Sequence, residues 1–439
     1  MRYRVPCSLQ IRTTALVFAV VCSAMAAAGQ TSTQDVLTLD DALKLAKDHN
    51  GTVKSAYLQV KAGDAAVVQA LSAFYPTINT QYQYTSDRQQ FATNNNTAFL
   101  QTEGAQTFLN TSWTLLDTGE RNFSVNSAKR ARDARAYNAK QVLRTTLFNV
   151  VQQYYNTLRA QELERVAQAE VGRAQTILDQ TQTRIKARDA AQIEELQANA
   201  DYQNARVSAL TAKNTTTNAA ATLKSTLGLS SNSPLPQLTK VNGSEAPAPA
   251  DTLETLLLEG IRNRPDLIAQ RKNIQAEDFS KRLADRQATI SANVAATYTE
   301  QITPQSLSDR TLTFLVTIPI FDGGSLRAAA RQIGYNIRAD EATLEQAERS
   351  VRADIEAAYK NIATNAERLD AAQIALDAAK KNYNAAVDSQ KAGAYDLLQV
   401  LTAQVSLVTA ESNQIQALYD YRISDVNLKL VTGRPIPGE

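Results

Sequence analysis

The sequence predicts a mainly α-helical protein with a small β part, in which one structural unit occurs twice. Two stretches without proline, residues 120–227 and 325–432, are rich in Ala, Gln, Glu, Leu, Arg and Lys, which lose little entropy in a helix. They align without a gap at an offset of 205 residues, so that Asp117 matches Asp322 and Arg144 matches Arg349. Each stretch follows two segments that alternate between apolar and polar residues, as strands do. We therefore expect duplicated long α-helical hairpins and four β-strands per chain.

The N-terminus, residues 1–28, has the pattern of a secretory signal peptide. Basic residues precede an apolar run at 15–22, and small residues follow it. Eight apolar residues are too few for a transmembrane helix, which needs about 20. A retained N-terminal anchor and a lipidated Cys22 are the alternatives. Both cysteines, Cys7 and Cys22, lie in this segment, so cleavage would leave no disulfide and no thiolate metal site.

Charge and composition argue against nucleic-acid binding and against catalysis. The formal charge of +2 is close to neutral, with acidic and basic residues mixed along the helices, which removes the electrostatic case for a nucleic-acid partner. The one histidine, His49, lies beside the turn residue Gly51, where a surface role is expected. Dense carboxylates on helices usually form a solvated face. We expect no enzyme activity and no cofactor.

Each half of the chain is predicted to begin with a helix, at 39–74 and at 253–287, that is broken near its first third. The breaks are at His49-Asn50-Gly51 and at Asn263-Arg264-Pro265. The predicted strands are 78–85, 108–116, 290–300 and 311–321, and the first inter-strand loop is nine residues longer than the second. The predicted domains are a first repeat at 29–232, a linker at 233–251, a second repeat at 252–434 and a tail at 435–439.

The strands are predicted to present one apolar and one polar face. The residues that we expect to face lipid are Trp113, Leu115, Phe314, Val316 and Ile318. In a soluble protein such a face would pack on helices, and this remains the alternative. If the face meets lipid, the pattern is that of a membrane barrel, apolar outside and polar inside. Open sheet edges are not stable in lipid, so four strands per chain would have to close with strands of other copies.

The long helices carry narrow apolar stripes at the spacing of a coiled coil, alternately four and three residues apart. In the second half the stripe is Ile355, Tyr359, Ile362, Ala366, Leu369, Gln373 and Leu376. Such stripes suit helix–helix packing better than packing on a sheet.

Several short motifs, in this order, resemble those of the TolC-like outer-membrane efflux protein family. They are Leu115-Leu116-Asp117-Thr118-Gly119, Asn263-Arg264-Pro265-Asp266-Leu267, Ile320-Phe321-Asp322-Gly323-Gly324, and Gly393-x5-Gln399-Val400-Leu401-x-Ala403. The resemblance covers residues 39–434. It implies a homotrimer that forms a 12-stranded transmembrane α/β barrel in the outer membrane, continued by a helical tunnel in the periplasm. It also implies docking on a periplasmic adaptor protein and an inner-membrane pump, in tripartite efflux or type I secretion, with passive conduction and no chemical change.

The hairpin tips are the functional sites that the resemblance points to. The candidates for adaptor docking are Arg188, Asp189, Gly393, Ala394 and Tyr395. The candidates for a pore constriction are Asp189, Glu194, Glu195, Asp396 and Gln399. The sequence departs from the family just past the second tip, where Gln399 and Thr402 stand at places that can be acidic. A solvated surface is the alternative interpretation of these charges.

Two other protein classes remain open on the sequence alone. A periplasmic adaptor also contains a helical hairpin, but it typically has one hairpin flanked by β-rich domains. A coiled-coil scaffold without a membrane barrel is the other. The duplicated pair of strands disfavours both.

Overall fold

The computed structural model describes residues 36–93, 96–239, 251–287, 289–303, 306–392, 394 and 396–439. The predicted signal peptide, with Cys22, and residues 240–250 of the predicted linker lie outside the described residues. Within the described part the elements are α1 Leu39–His49, α2 Gly51–Ser72, β1 Thr77–Thr93, β2 Asn96–Leu116, α3 Glu120–Lys186, α4 Gln192–Leu227, α5 Leu253–Asn263, α6 Pro265–Arg286, β3 Ser291–Thr303, β4 Leu307–Thr317, α7 Ser325–Lys391 and α8 Leu397–Val431. A mainly helical protein with a small antiparallel sheet, as predicted, is confirmed.

The two halves repeat each other element by element. The long helices α3 and α7 both contain 67 residues, and α7 begins 205 residues after α3. The short helices α2 and α6 both contain 22 residues, and the breaks before them lie at Asn50 and Arg264. Asn50 caps α2, since its side chain accepts a hydrogen bond from the amide of Thr52 at 2.9 Å.

The turn before each long helix is stabilised by an aspartate. Asp117 accepts hydrogen bonds from the amides of Gly119, at 3.2 Å, and Arg121, at 2.9 Å. Asp322 accepts the equivalent bonds from Gly324 and Leu326 at 2.9 and 2.7 Å. Both glycines have positive φ, 95° and 84°, which glycine adopts without strain. The two Asp-x-Gly motifs are therefore helix caps, in which a carboxylate binds the free amides of the first turn.

The strands form one antiparallel sheet in the order β1-β2-β3-β4. The central pairing, β2 with β3, joins the first half of the chain to the second. Trp113 lies opposite Val294, and Val294 lies opposite Phe314. Residues that lie opposite each other share a face of the sheet, so the predicted apolar faces of both halves form one continuous face.

Several strand boundaries differ from those predicted, most of all in the first strand pair and at both ends of β4, which begins at Leu307. The residues expected to form a polar inter-strand loop continue β1 to Thr93 and start β2 at Asn96. The sequence of this extension is mostly polar and has no regular apolar alternation, so backbone pairing alone defines it. β4 ends at Thr317 instead of residue 321, because Pro319 has no amide hydrogen to pair and β3 offers no partner beyond Ser291. Ile318, predicted on a strand, therefore lies just past β4.

The core lies between the helices, with α3 packed against α2, α4, α6 and α8. Tyr154 of α3 is buried, and its hydroxyl donates to the carbonyls of Leu37 and Thr239 at 2.9 and 3.2 Å. The predicted stripe of α7 is buried at Ile355 and Leu369, which belong to a second apolar cluster with α5 and α8. Within the described residues, no helix has an apolar stretch long enough to cross a membrane.

Candidate functional site

The apolar face of the sheet is not covered by the chain's own helices. Phe314 is 69% exposed, Val316 58% and Trp113 42%, although each is large and apolar. Leu115 and Ile318 are exposed in the same way. The alternative in which this face packs on helices of the same chain is therefore wrong for the described residues. A contiguous surface of large, exposed apolar side chains such as this one marks an interaction site.

The indole of Trp113 also marks the end of the apolar face. Its Nε1 donates a hydrogen bond to the carbonyl of Phe74, at the end of the first helical arm, at 3.0 Å. The ring of Phe74 in turn lies 4.9 Å from the guanidinium of Arg121. An indole with one apolar and one hydrogen-bonded edge suits the boundary between an apolar and a wet environment.

The first hairpin tip reverses through Arg188, which has a φ of 63°. The amide of Asp189 donates to the carbonyl of Arg184 at 2.8 Å, and that of Arg188 donates to Ile185 at 2.9 Å. This hydrogen-bond pattern closes a helix end through a left-handed residue, a position that glycine usually occupies. Arg188 therefore occupies the left-handed backbone position of this tip, which is strained for a residue other than glycine.

Arg184, which the sequence-based reasoning missed, organises the acidic residues at the first tip. Its guanidinium lies 3.3 Å from Glu194 and 3.6 Å from Asp189, and it donates to the carbonyl of Asp189 at 3.0 Å. Glu195 accepts a separate hydrogen bond from Gln182 at 3.1 Å. The sequence signal that could have identified Arg184 is a basic residue one turn before an acidic tip. Glu194 and Glu195 are thus paired with side chains of α3, whereas the side chain of Asp189 remains 78% exposed.

The second tip is closed by a reciprocal cap at the start of α8. Asp396 accepts from the amide of Gln399 at 3.1 Å, and the side chain of Gln399 accepts from the amide of Asp396 at 3.2 Å. The amide of Ala394 donates to the carbonyl of Ser389 at 2.9 Å, which repeats the turn of the first tip at the offset of 205. Gly393 and Tyr395 lie outside the described residues.

A groove of about 470 Å³ lies beside the two tips, between the ends of α3 and α7. Residues 176–184 supply most of its wall, and Gln390 and Lys391 complete it. The groove brings Arg184 close to the second hairpin, so residues of both tips contribute to one surface. Within the described part of the chain, no three acidic or histidine side chains are placed to hold a metal ion.

The comparison with protein families gives a match over most of the chain. The family described as outer membrane efflux protein matches residues 42–229 and 257–434. The two matched segments coincide with the two halves seen in the fold, and the unmatched part between them contains the predicted linker.

Individual relatives are distant in sequence and close in fold. The chain is similar to outer membrane protein TolC of Escherichia coli, with 25% identity over 66% of this chain, although the match spans only 61% of that relative's length. It is also similar to outer membrane protein TolC of Vibrio cholerae, with 25% identity over 88% of this chain and 89% of the relative. The crystal structure of the Campylobacter jejuni CmeC outer membrane channel shares the fold, with a TM-score of 0.77 and 18% identity over 90% of this chain and 85% of CmeC.

Proposed function

The chain belongs to the outer membrane efflux protein family, and we propose that it forms the exit duct of a tripartite efflux or type I secretion system. Membership of this family confirms the predicted outer-membrane location. It also agrees with the expectation that the chain is not an enzyme. In the proposed mechanism, substrates pass through the duct by passive conduction and leave it chemically unchanged.

The uncovered apolar face of the sheet is the observation that carries this proposal. It runs across all four strands, from Ile78 on β1 through Trp113 and Val294 to Phe314 on β4. The opposite face carries Asn, Gln, Ser and Thr side chains at alternate positions, among them Asn110. An apolar outer face and a polar inner face suit a strand wall between lipid and a watery lumen.

The free edges of the sheet support a homotrimer. Among the described residues of one chain, β1 and β4 each have one unpaired side, and unpaired backbone groups cost several kcal/mol each in hydrocarbon. Pairing β4 of one copy with β1 of the next removes these edges. Three copies would give the 12 strands expected from the family resemblance, with a lumen large enough for water.

The helices would continue the duct into the periplasm. With 67 residues each, α3 and α7 extend about 100 Å at 1.5 Å per residue. Their equal lengths bring both tips to one level, where the groove near Arg184 and the predicted residues Arg188, Asp189 and Ala394 are available to a periplasmic adaptor. The adaptor would connect the duct to an inner-membrane pump. In this proposal residues 1–28 direct export, and 29–232 and 252–434 are the two repeats.

Charge placed on the two faces of β4 tests the proposal. Phe314→Lys with Val316→Lys should remove trimers from the outer-membrane fraction, because lysine near the bilayer midplane costs about 2–4 kcal/mol. The matched control, Thr311→Lys with Thr313→Lys, alters the opposite face of the same strand and should retain them. Trimers are measured by native electrophoresis of the membrane fraction. Equal trimer levels in both variants would rule out the assignment of the faces.

A second experiment tests conduction itself. The purified protein is inserted into planar lipid bilayers, and single-channel current is recorded under an applied voltage. Discrete conductance steps are expected from an assembled duct. Trimers that insert stably but never conduct, even when the tip residues are deleted, would contradict the channel function while leaving the assembly intact.

A further inference from the structure

A buried polar network joins α8 to both helices of the first hairpin, away from the tips. Its centre is Gln404 of α8, which is fully buried. The Nε2 of Gln404 donates hydrogen bonds to Glu170 of α3 and, at 3.3 Å, to Asp201 of α4. One amide thus links three helices that belong to two different hairpins.

The charges around Gln404 are unbalanced. Arg173 of α3 donates to Glu170 at 3.1 Å and to Glu411 of α8 at 3.0 Å. Three carboxylates, those of Glu170, Asp201 and Glu411, therefore share one guanidinium, which leaves a formal charge of −2 when all are ionised. Arg173 forms ion pairs with both Glu170 and Glu411 but offsets only one of their two charges. Asp201 has no cation, and Gln404 is its partner in the described part of the chain.

Two tyrosines complete the surroundings of the network and add no charge at neutral pH. Tyr383 of α7 lies near Arg173 and Glu170, and burial raises the pKa of its hydroxyl. Tyr202 of α4 packs on the apolar cluster around Ala403. Among the described residues, burial and the hydrogen bond from Gln404 are what act on Asp201, and no positive charge is among its surroundings.

One hydrogen bond is missing from the network, at the oxygen of the Gln404 side-chain amide. The Oε1 of Gln404 is buried and has no donor in the described part of the chain. A buried acceptor without a donor is destabilising, because it has lost its hydrogen bonds to water. A protonated carboxyl beside a primary amide can supply the donor, since its carbonyl oxygen accepts from the amide N–H while its O–H donates to the amide oxygen. Asp201 already accepts from Nε2, so a proton would add only the second bond.

We propose that Asp201 and Gln404 form a proton-dependent clamp that holds α8 against the first hairpin. A proton on Asp201 removes one unpaired negative charge and completes a ring of two hydrogen bonds with Gln404. Loss of that proton leaves Oε1 without a donor and restores the repulsion between Asp201 and Glu170. The clamp concerns the packing of one chain and does not depend on conduction.

The direction of the pH effect follows from burial. Burial raises the pKa of Asp201 above the usual value of an aspartate, and the hydrogen bond from Gln404 offsets only part of this shift. A raised pKa in the packed state means that packing is most stable at acidic pH, and that stability is lost as pH rises through the raised value. Burial also raises the pKa of Glu170, which acts in the same direction.

The clamp is specific to one junction in the duplicated chain. At the offset of 205 residues, Glu170 matches Ala375, Arg173 matches Ala378 and Asp201 matches Ser406. The second hairpin therefore has none of the three charges at the corresponding places. A residue set that is absent from the matching positions is not needed to build such a hairpin.

Hydrogen exchange of the purified full chain tests the clamp. Protection of the amides in residues 397–410, corrected for intrinsic exchange, should fall by a factor of about three or more between about pH 4, the usual pKa of an aspartate, and pH 8. Asp201→Asn should lose most of this pH dependence, because asparagine forms the same ring with Gln404 and does not titrate, which leaves only Glu170 to respond. Asp179→Asn, an exposed carboxylate on α3, is the matched control and should behave like the wild type.

A second substitution keeps the test decisive if Asp201→Asn folds poorly. Gln404→Leu removes the amide and with it the ring, so protection should be lower than in the wild type at both pH values. Wild-type protection that does not change with pH, or an equal pH response in Asp201→Asn and the wild type, would overturn the proposal. Neither measurement requires a membrane, so its failure would leave the proposed duct untouched.

Discussion

Gly228 and His49 contact each other through their backbones: a β-carbon built on Gly228 would lie 2.6 Å from the carbonyl oxygen of His49. Gly228 ends α4 with a φ of 77°, and His49 ends α1 at the break before α2. Asn50 strengthens this junction, since its side chain donates to the carbonyl of Thr226 at 2.9 Å. The second half repeats the contact between Gly433 and Asn263. In both halves, the second helix of the long hairpin (α4 or α8) ends at the break between the two short helices.

We expect Gly228→Ala to destabilise the protein by at least about 2 kcal/mol, because the side chain would meet the His49 backbone in a left-handed conformation. Thermal unfolding of the purified protein measures the effect. Gly172→Ala is the control, since Gly172 lies inside α3 with no atom near its β-carbon. It should instead stabilise by up to about 1 kcal/mol. Equal effects of the two substitutions would contradict this account of the junction.

We expect Arg188→Gly to stabilise the first tip by about 1 kcal/mol, because glycine adopts the positive φ of this residue without strain. Arg188→Ala keeps the strained backbone and serves as the comparison. The rate of limited proteolysis at the tip measures local opening. If both substitutions change that rate alike, the guanidinium and not the backbone is what matters at this position.

We expect Arg144→Ala to destabilise the protein by about 2–4 kcal/mol. Arg144 is 2% exposed, and its guanidinium donates to the carbonyls of Gly433, at 3.0 Å, and Lys429, at 3.3 Å. Removing it takes the guanidinium donor from both carbonyls at the end of α8, and the Lys429 carbonyl then keeps only the hydroxyl of Thr432, at 3.3 Å. Carboxypeptidase digestion should then remove residues 432–439 faster.

The duplicated position supplies the control for this experiment. Arg349 matches Arg144 at the offset of 205, but its side chain is exposed and paired with Glu345 on the same helix. Arg349→Ala should change the free energy of unfolding by less than about 0.5 kcal/mol. A large loss in Arg349→Ala would show that helix charge, and not the buried hydrogen bonds of Arg144, explains the first result.

We expect Asp117→Asn to weaken the start of α3 by about 1 kcal/mol and to flatten its acid sensitivity. Burial alone would raise the pKa of Asp117, but hydrogen bonds from Arg121 and Gly119 lower it overall. A lowered pKa contributes stability above the usual aspartate value, and this contribution is lost as pH falls. Denaturant unfolding at pH 7 and pH 3 should therefore differ more for the wild type than for Asp117→Asn. A parallel decrease in both would exclude Asp117 as the source.

The helices could be predicted closely from the sequence because their signals are local and occur twice. Composition defines the interiors of α3 and α7, and the Asp-x-Gly motifs define their starts. The break at Asn50 was visible as a turn signal beside Gly51. Duplication then checked each boundary against an independent copy, which a single helix would not allow.

The outer part of the first strand hairpin could not be predicted in the same way. Between Thr85 and Phe108 the paired residues are mostly polar on both faces, so no period of two distinguishes strand from loop. Only the backbone ladder defines this region. The end of β4 before Ile318, by contrast, had a local sequence signal, because Pro319 cannot pair in a strand. The apolar alternation on both sides of Pro319 obscured that signal.

The polar residues of the candidate sites were the least predictable. Arg184 lies ten residues from Glu194, and Gln404 lies 203 residues from Asp201. No periodic pattern marks such pairs, because their proximity depends on how hairpins pack. The sequence could predict the position of the tips, but not which of their charges are already paired.

The matched lengths of α3 and α7, 67 residues each, restrict how such a protein can change in size. One added residue turns all later positions of a helix by about 100° and would move the buried stripe out of register. Insertion of seven residues, about two turns, preserves the stripe and adds about 10 Å. The same insertion would be needed in the returning helices α4 and α8. Growth or shortening of the hairpins is therefore possible only in steps of two turns, taken in all four helices together.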